Sequence, residues 1–217
     1  MEIKARGLTF DVYEGGPAEG EPVLLLHGFP QDHREFDFLA PKLHAAGLRT
    51  YALDQRGSTP GARPADLSGY RLTEPVADAL AVLDELGLES AHVLGHDWGA
   101  HVGWMLAALH PERVRTLTAV SVPHPRALLL ALRVRASQQA RMSYFKLFQS
   151  RYAERVLTAG DSALLKAMLA PIGKRGAIYV DAMREPERLT GGLNWYRAVA
   201  FDPVSYTHLT LPTICSV

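Results

Sequence analysis

Gly95-His96-Asp97-Trp98-Gly99 has the form G-x-X-x-G, set between an apolar run and a helical run. A strand, a turn of this form and a helix make a nucleophile elbow, in which the central residue sits on a strained turn with its side chain exposed. Gly95 and Gly99 suit it because strand and helix pass too close for a Cβ. The new helix offers backbone N–H groups, here that of Trp98, to a developing anion. The central residue is an aspartate. A carboxylate is ionised at pH 7 and needs no base to act as a nucleophile. On an ester or amide carbonyl it would form an anhydride. On a saturated carbon with an oxygen or halide leaving group it forms an alkyl ester, which water activated by a histidine can hydrolyse. Asp97 therefore points to epoxide opening or halide displacement. The competing reading is a structural carboxylate at a helix N-terminus.

These groups need a scaffold, and the periodicity predicts one. EIKARG-LTFDVYEGG reads as a hairpin turning near Gly7. Pro22–Leu26 is a continuous apolar run suited to a strand buried on both faces of a parallel sheet; Leu48–Leu53 and Ala91–Leu94 read as further buried strands and Val114–Val122 as a fourth strand. Thr73–Leu86 carries apolar residues at helical spacing, with Thr73 expected as N-cap and Gly87 after the last turn. Ala100–Leu109 reads as a helix stopped before Pro111. Strands alternating with helices imply an α/β fold with a mostly parallel sheet. Residues 126–200 are helical in character, with breaks expected at Gly160, Gly173 and Gly191-Gly192. Such an insert suggests an all-helical lid over the strand ends, where open α/β sheets place their sites. The expected organisation is a core over 1–122, a lid over 123–203 and a separate tail over 204–217.

Taken in order, HGFP (His27–Pro30), DQRG (Asp54–Gly57) and GHDWGA (Gly95–Ala100) resemble the α/β-hydrolase fold, and within it the epoxide hydrolases. The resemblance covers roughly residues 1–203. It implies that the HG-x-P loop, with His27, Gly28 and Pro30, supplies the N–H of Phe29 to an oxyanion hole shared with the N–H of Trp98. It also implies two lid tyrosines that hydrogen-bond and protonate the epoxide oxygen. Tyr144, in SYFKLFQ, and Tyr196, in GGLNWYR, match those segments. Tyrosine suits the task because its O–H is a donor at neutral pH. Tyr152 and Tyr179 read as structural. His96 belongs to the elbow motif with Gly95 and Gly99. His92, His96 and His101 match no metal-ligand spacing, and no metal or cofactor is implied. His124 and Asp54 are declined as catalytic base and acid, because the family's acid and histidine come later in the chain.

The expected substrate is a small hydrophobic molecule, an epoxide or a haloalkane. A dehalogenase of the same fold is the second reading, with the indoles of Trp98 and Trp195 as candidate halide donors. Against it, Phe29 stands where one dehalogenase group has asparagine, and Trp98 stands where fluoroacetate-type enzymes have arginine. A non-catalytic protein holding a small apolar ligand under the lid is the third.

Bulk composition narrows the classes further. Over 217 residues, Lys+Arg and Asp+Glu are 23 each. That balance gives no basis for nucleic-acid or anionic-membrane binding. The longest apolar run, Ala127–Leu132, is too short to span a bilayer, and no secretory h-region opens the chain. A cytoplasmic location is the expectation. The single cysteine, Cys215, excludes an internal disulfide. Oligomeric state is not legible.

Val204–Val217, VSYTHLTLPTICSV, contains no charged Asp, Glu, Lys or Arg. VSYTHLTLPT closely resembles a translated transposon-type sequencing adapter, so the expectation is a non-native tail on a C-terminally truncated chain. On that reading the triad acid and histidine are missing, turnover is lost, and the strand at Val114–Val122 is left as an exposed edge.

Overall fold

The computed structural model describes residues 1–199. The expected lid terminus and the tail over 204–217 lie outside the described residues. β1 (Glu2–Ala5) and β2 (Leu8–Gly15) form the expected hairpin, with Arg6 and Gly7 at positive φ in its turn. β3 (Glu21–Leu26), β4 (Leu48–Leu53), β5 (Ala91–His96) and β6 (Val114–Val120) complete a six-stranded sheet in the order β1-β2-β4-β3-β5-β6. β2 meets β4 antiparallel, while β4, β3, β5 and β6 are mutually parallel.

The register puts the ends of three parallel strands side by side. Leu26 lies opposite both Leu53 and Gly95. Each strand therefore runs directly into one motif: β3 into His27-Gly28-Phe29, β4 into Asp54-Gln55-Arg56 and β5 into Asp97. The buried residues Leu24, Leu25, Leu26 and Leu53 anchor these ends in the core. Among the described residues β6 pairs with β5 alone, and Val120 remains 43% exposed.

α1 (Ala40–Ala45), α2 (Thr73–Glu85) and α3 (Trp98–Leu109) connect the strands. α2 buries Val76, Ala79, Val82 and Leu83 on one face. Its N-cap is Leu72 and not Thr73, which is the first helical residue; no side chain caps this end. Gly87 takes φ 68 just past the helix, as its position suggested. α3 begins at Trp98, two residues before the expected start, because the elbow turns straight into the helix.

After β6 the chain is helical: α4 (Pro125–Val134), α5 (Ala136–Arg141), α6 (Tyr144–Gln149), α7 (Ala153–Leu169), α8 (Gly176–Ala182) and α9 (Pro186–Val199). α7 is interrupted at Ala159–Ser162, where Gly160, Asp161 and Ser162 adopt left-handed backbone. Gly173 adopts positive φ between α7 and α8. The span Ala153–Ala182 is apolar and long enough in total to cross a bilayer, but these two interruptions divide it.

The expected break at Gly191-Gly192 does not occur, since both glycines lie inside α9. They serve close approach. A Cβ on Gly191 would stand 2.6 Å from Gly57 O, and one on Gly192 would stand 2.5 Å from the Phe29 ring. Here α9 rests directly on the loops that follow β3 and β4.

Candidate active site

Asp97 occupies the turn between β5 and α3 with φ 52 and ψ −117, a strained conformation for a residue with a side chain. The neighbouring glycines make it possible. A Cβ on Gly95 would fall 2.2 Å from Gly99 O, and one on Gly99 would fall 1.9 Å from Leu26 O. Gly28 clears the space in front of the carboxylate, since a Cβ there would lie 2.6 Å from Asp97 Oδ1. That third glycine requirement was not apparent from the elbow motif.

The Phe29 N–H donates to Asp97 Oδ1 at 3.0 Å. The Phe29-Pro30 peptide is cis. Burial pushes the Asp97 carboxyl above the usual carboxylate range, opposed by the N–H groups of Phe29 and Trp98 and by His96. Phe29 and Trp98, chosen as oxyanion donors, thus converge on the aspartate from the two loops expected.

His27 holds the Phe29 loop in place. It is buried and lies between two backbone contacts. Nε2 accepts from the Gln55 N–H at 3.0 Å, which leaves the proton on Nδ1, 2.8 Å from Gly28 O. Gln55 Nε2 donates to His27 O at 2.5 Å. The DQRG loop therefore clamps the HGFP loop, and Gln55 is the contact that sequence reasoning missed. Asp54, declined as the acid, accepts from the His33 N–H at 2.7 Å and sits 3.0 Å from His33 Nδ1. Its neighbours account for it structurally.

The lid supplies the tyrosines. Tyr144 opens α6 and Tyr196 lies near the end of α9; their ring centroids are 6.2 Å apart. Gln149 Nε2 donates to Tyr196 O at 3.0 Å, tying the two helices together. Burial, and after it the Asp97 charge, pushes the Tyr144 hydroxyl up to about 12. The same causes, joined by Tyr144, push buried Tyr196 well above its ordinary value. Both stay protonated and can donate at neutral pH. The structure therefore brings Asp97 and both chosen tyrosines into one electrostatic neighbourhood. Tyr196 packs edge-on against Trp98, Phe29, Phe145 and Phe148 at centroid distances between 4.8 and 5.6 Å. This is a predominantly apolar, aromatic surround.

The remaining candidates separate cleanly. The Trp195 indole N–H donates to Arg56 O at 3.0 Å, so it is not turned to a substrate. His96 points away to Glu35, with Nδ1 2.5 Å from Oε1. Burial would lower its pKa, and Glu35 outweighs that to raise it. His92 is spent on Thr116 and Glu21. Burial lowers His101 to about 4, keeping it neutral. Exposed Tyr152 stands outside the site, and Tyr179 is buried over Arg34.

Asp32, His33 and Asp54 bring three possible ligand atoms within 4.8 Å of one another. Asp32 is already neutralised by Arg34 and Arg188, at 2.5 and 2.6 Å. The donor set therefore does not suit a metal ion.

Comparison with known proteins agrees with this geometry. The α/β-hydrolase fold family matches residues 21–192. An AB hydrolase superfamily protein, YfhM of Bacillus subtilis, is 32% identical over 206 residues, covering 91% of this chain and 72% of the relative. Epoxide hydrolase B of Mycobacterium tuberculosis is 40% identical over 123 residues, covering 56% of this chain and 35% of that protein. The crystal structure of Bacillus megaterium epoxide hydrolase in complex with an inhibitor superposes with a TM-score of 0.84 at 26% identity, covering 99% of this chain and 77% of that one. The chain is therefore a member of the α/β-hydrolase fold family, and its named relatives include epoxide hydrolases.

Proposed function

We propose that Asp97 opens a small apolar epoxide by attack on a ring carbon, giving an alkyl ester on the enzyme. The Phe29 N–H holds Oδ1, which leaves Oδ2 as the attacking oxygen. The C–O bond of the ring breaks as the new ester bond forms. The electron pair goes to the ring oxygen, which takes a proton from Tyr144 or Tyr196. Oδ1 becomes the ester carbonyl oxygen, and the Phe29 N–H already donates to it. Adding water to that carbonyl would put charge on the same Oδ1, but it needs a histidine base that none of the assigned groups provides, so the alkyl ester is the expected end product.

The observation that carries this reading is the pairing of one nucleophilic carboxylate with two tyrosines packed together at 6.2 Å, buried Tyr196 and half-buried Tyr144, whose hydroxyls burial and then its charge push up. A halide leaving group would not need a proton donor. The Trp195 N–H, the second donor that reading wants, is occupied by Arg56 O. The aromatic surround favours an apolar epoxide. The test is intact-mass spectrometry after incubation with styrene oxide. An adduct of one reagent mass, mapped to Asp97 and absent from Asp97→Asn, is expected. Equal labelling of the two proteins would sink the proposal. Halide release from a bromoalkane without reaction with the epoxide would favour the dehalogenase instead.

A further inference from the structure

Beside the oxyanion loop lies a small cavity of about 20 Å³, lined by His27, Gln31, Gln55, Trp98, Arg188 and Trp195 among others. Asp97, Tyr144 and Tyr196 do not line it. By the measure in which one water needs about 10–15 Å³, it has room for a single water. Four buried side-chain atoms on its lining residues have no hydrogen-bond partner among protein groups: Gln31 Oε1, Gln55 Oε1, Arg188 Nε and Trp98 Nε1, the last lying beside the Tyr196 hydroxyl, which leaves the first three for the cavity. The orientation of Gln55 is fixed, because its Nε2 donates to His27 O, so the orphaned atom is the carbonyl oxygen. Gln55 is 3% exposed, which puts that oxygen out of reach of bulk solvent. Buried polar groups left in this way are uncommon in folded proteins.

The three atoms define the chemistry of an occupant. Two are acceptors, which repel an anion. One is a guanidinium donor, which repels a cation, and no carboxylate lines the cavity. A neutral molecule that both donates and accepts, with one heavy atom, satisfies all three. We infer that a single water is bound here, donating to Gln31 Oε1 and Gln55 Oε1 and accepting from Arg188 Nε–H. Three hydrogen bonds is the usual number for a buried water.

The water joins three separate elements. Gln31 follows the oxyanion loop, Gln55 lies in the loop after β4, and Arg188 stands on α9. The other end of Arg188 is fixed by Asp32 at 2.6 Å. The water is thus a brace between lid and core, next to the helix that carries Tyr196, and it does not depend on the reaction proposed above.

A high-resolution crystal structure grown in sodium bromide tests this. One fully occupied water within hydrogen-bond distance of Gln55 Oε1 and Arg188 Nε is expected. An anomalous bromide peak at the site overturns the inference, as does a direct Gln55–Arg188 contact with no density between them. In solution, the Arg188 Nε–H resonance of the unaltered protein should show a cross-peak to a long-lived water. That peak should vanish in Gln31→Met, whose side chain fills the space without accepting strongly. Absence of the peak in the unaltered protein overturns the inference equally.

Discussion

The backbone N–H of Phe29 and the Oδ1 of Asp97 meet at 3.0 Å across 68 residues of chain. This bond fixes one oxygen of the carboxylate. It does not fully offset burial, so the Asp97 carboxyl remains above its ordinary value of 3.8. A raised carboxyl pKa means that the folded state holds that proton more tightly than the unfolded state. Stability from this group is therefore present below pH 3.8 and is lost as pH rises through the folded pKa. Asp97→Asn keeps the acceptor for Phe29 and removes the charge. It should abolish alkylation and raise stability at pH 7 by about 1 kcal/mol, a common trade between stability and function. Thermal melts should show the gain shrinking as pH falls toward 3.8. An Asn variant that melts below the parent at pH 7 contradicts this account.

A second prediction concerns α9. Gly191 and Gly103 both lie inside helices, so alanine brings each the same gain in helix propensity. Their surroundings differ. A Cβ on Gly103 meets the Leu117 Cδ1 at 2.7 Å, the movable end of a side chain. A Cβ on Gly191 meets the Gly57 backbone at 2.6 Å, which cannot turn aside. Gly103→Ala should change stability by less than about 1 kcal/mol, while Gly191→Ala should cost about 2–3 kcal/mol. Chemical denaturation of the two variants side by side decides it. Equal costs would mean that α9 does not sit on the loop after β4.

Much of this arrangement was legible in the sequence, and for physical reasons. The strand at Pro22–Leu26 declared itself by an unbroken apolar run. The elbow declared itself because two glycines at fixed spacing are needed wherever a strand turns into a helix packed on it. Gly191-Gly192 misled because glycine lowers helix propensity, and only the tertiary partner, the Gly57 backbone, shows that these two serve approach and not interruption. Thr73 misled as a cap because Leu72 already takes helical backbone there. Gln55 and Gly28 were read as parts of motifs, but their contacts to His27 and Asp97, and the Asp32–Arg188 pair, were invisible. Each acts on a residue far off in the chain, and no local pattern encodes such a contact.

The two tyrosines support a third prediction. Both hydroxyls are held neutral by burial and by the Asp97 charge, so both are available to protonate one leaving oxygen. If they share that task, Tyr144→Phe and Tyr196→Phe should each slow the alkylation of Asp97. The double variant should slow it about 10²–10⁴-fold, the usual worth of a general acid. Because Phe keeps the ring, the aromatic packing around Trp98 should survive and the melting temperature should move little. The rate comes from the time course of adduct formation by intact mass. Unchanged alkylation in the double variant would remove both tyrosines from the reaction.

The last prediction rests on Asp32. Its carboxylate is buried and accepts from the Arg34 backbone at 3.0 Å, the Arg34 Nε at 2.9 Å and the Arg188 Nη2 at 2.6 Å. Burial alone would raise its pKa, but Arg34 and Arg188 hold it well below the usual carboxylate range. A depressed carboxyl pKa contributes stability that is present above the unfolded value near 3.8 and is lost as pH falls through the folded one. Removing the charge leaves Arg188 unpaired between lid and core. For a fully buried pair that costs about 3–5 kcal/mol. Arg34 and Arg188 keep 33% and 14% side-chain exposure, so the cost here should be smaller, about 2 kcal/mol. Asp32→Asn should therefore melt lower than the parent at pH 7. The gap should hold down to about pH 4 and close only in stronger acid, the opposite of the trend for Asp97→Asn. Limited proteolysis should also cut α9 faster in the variant, because Arg188 is one of the groups that pins that helix to the core. A variant as stable and as protease-resistant as the parent at pH 7 would show that the latch contributes nothing to holding the lid.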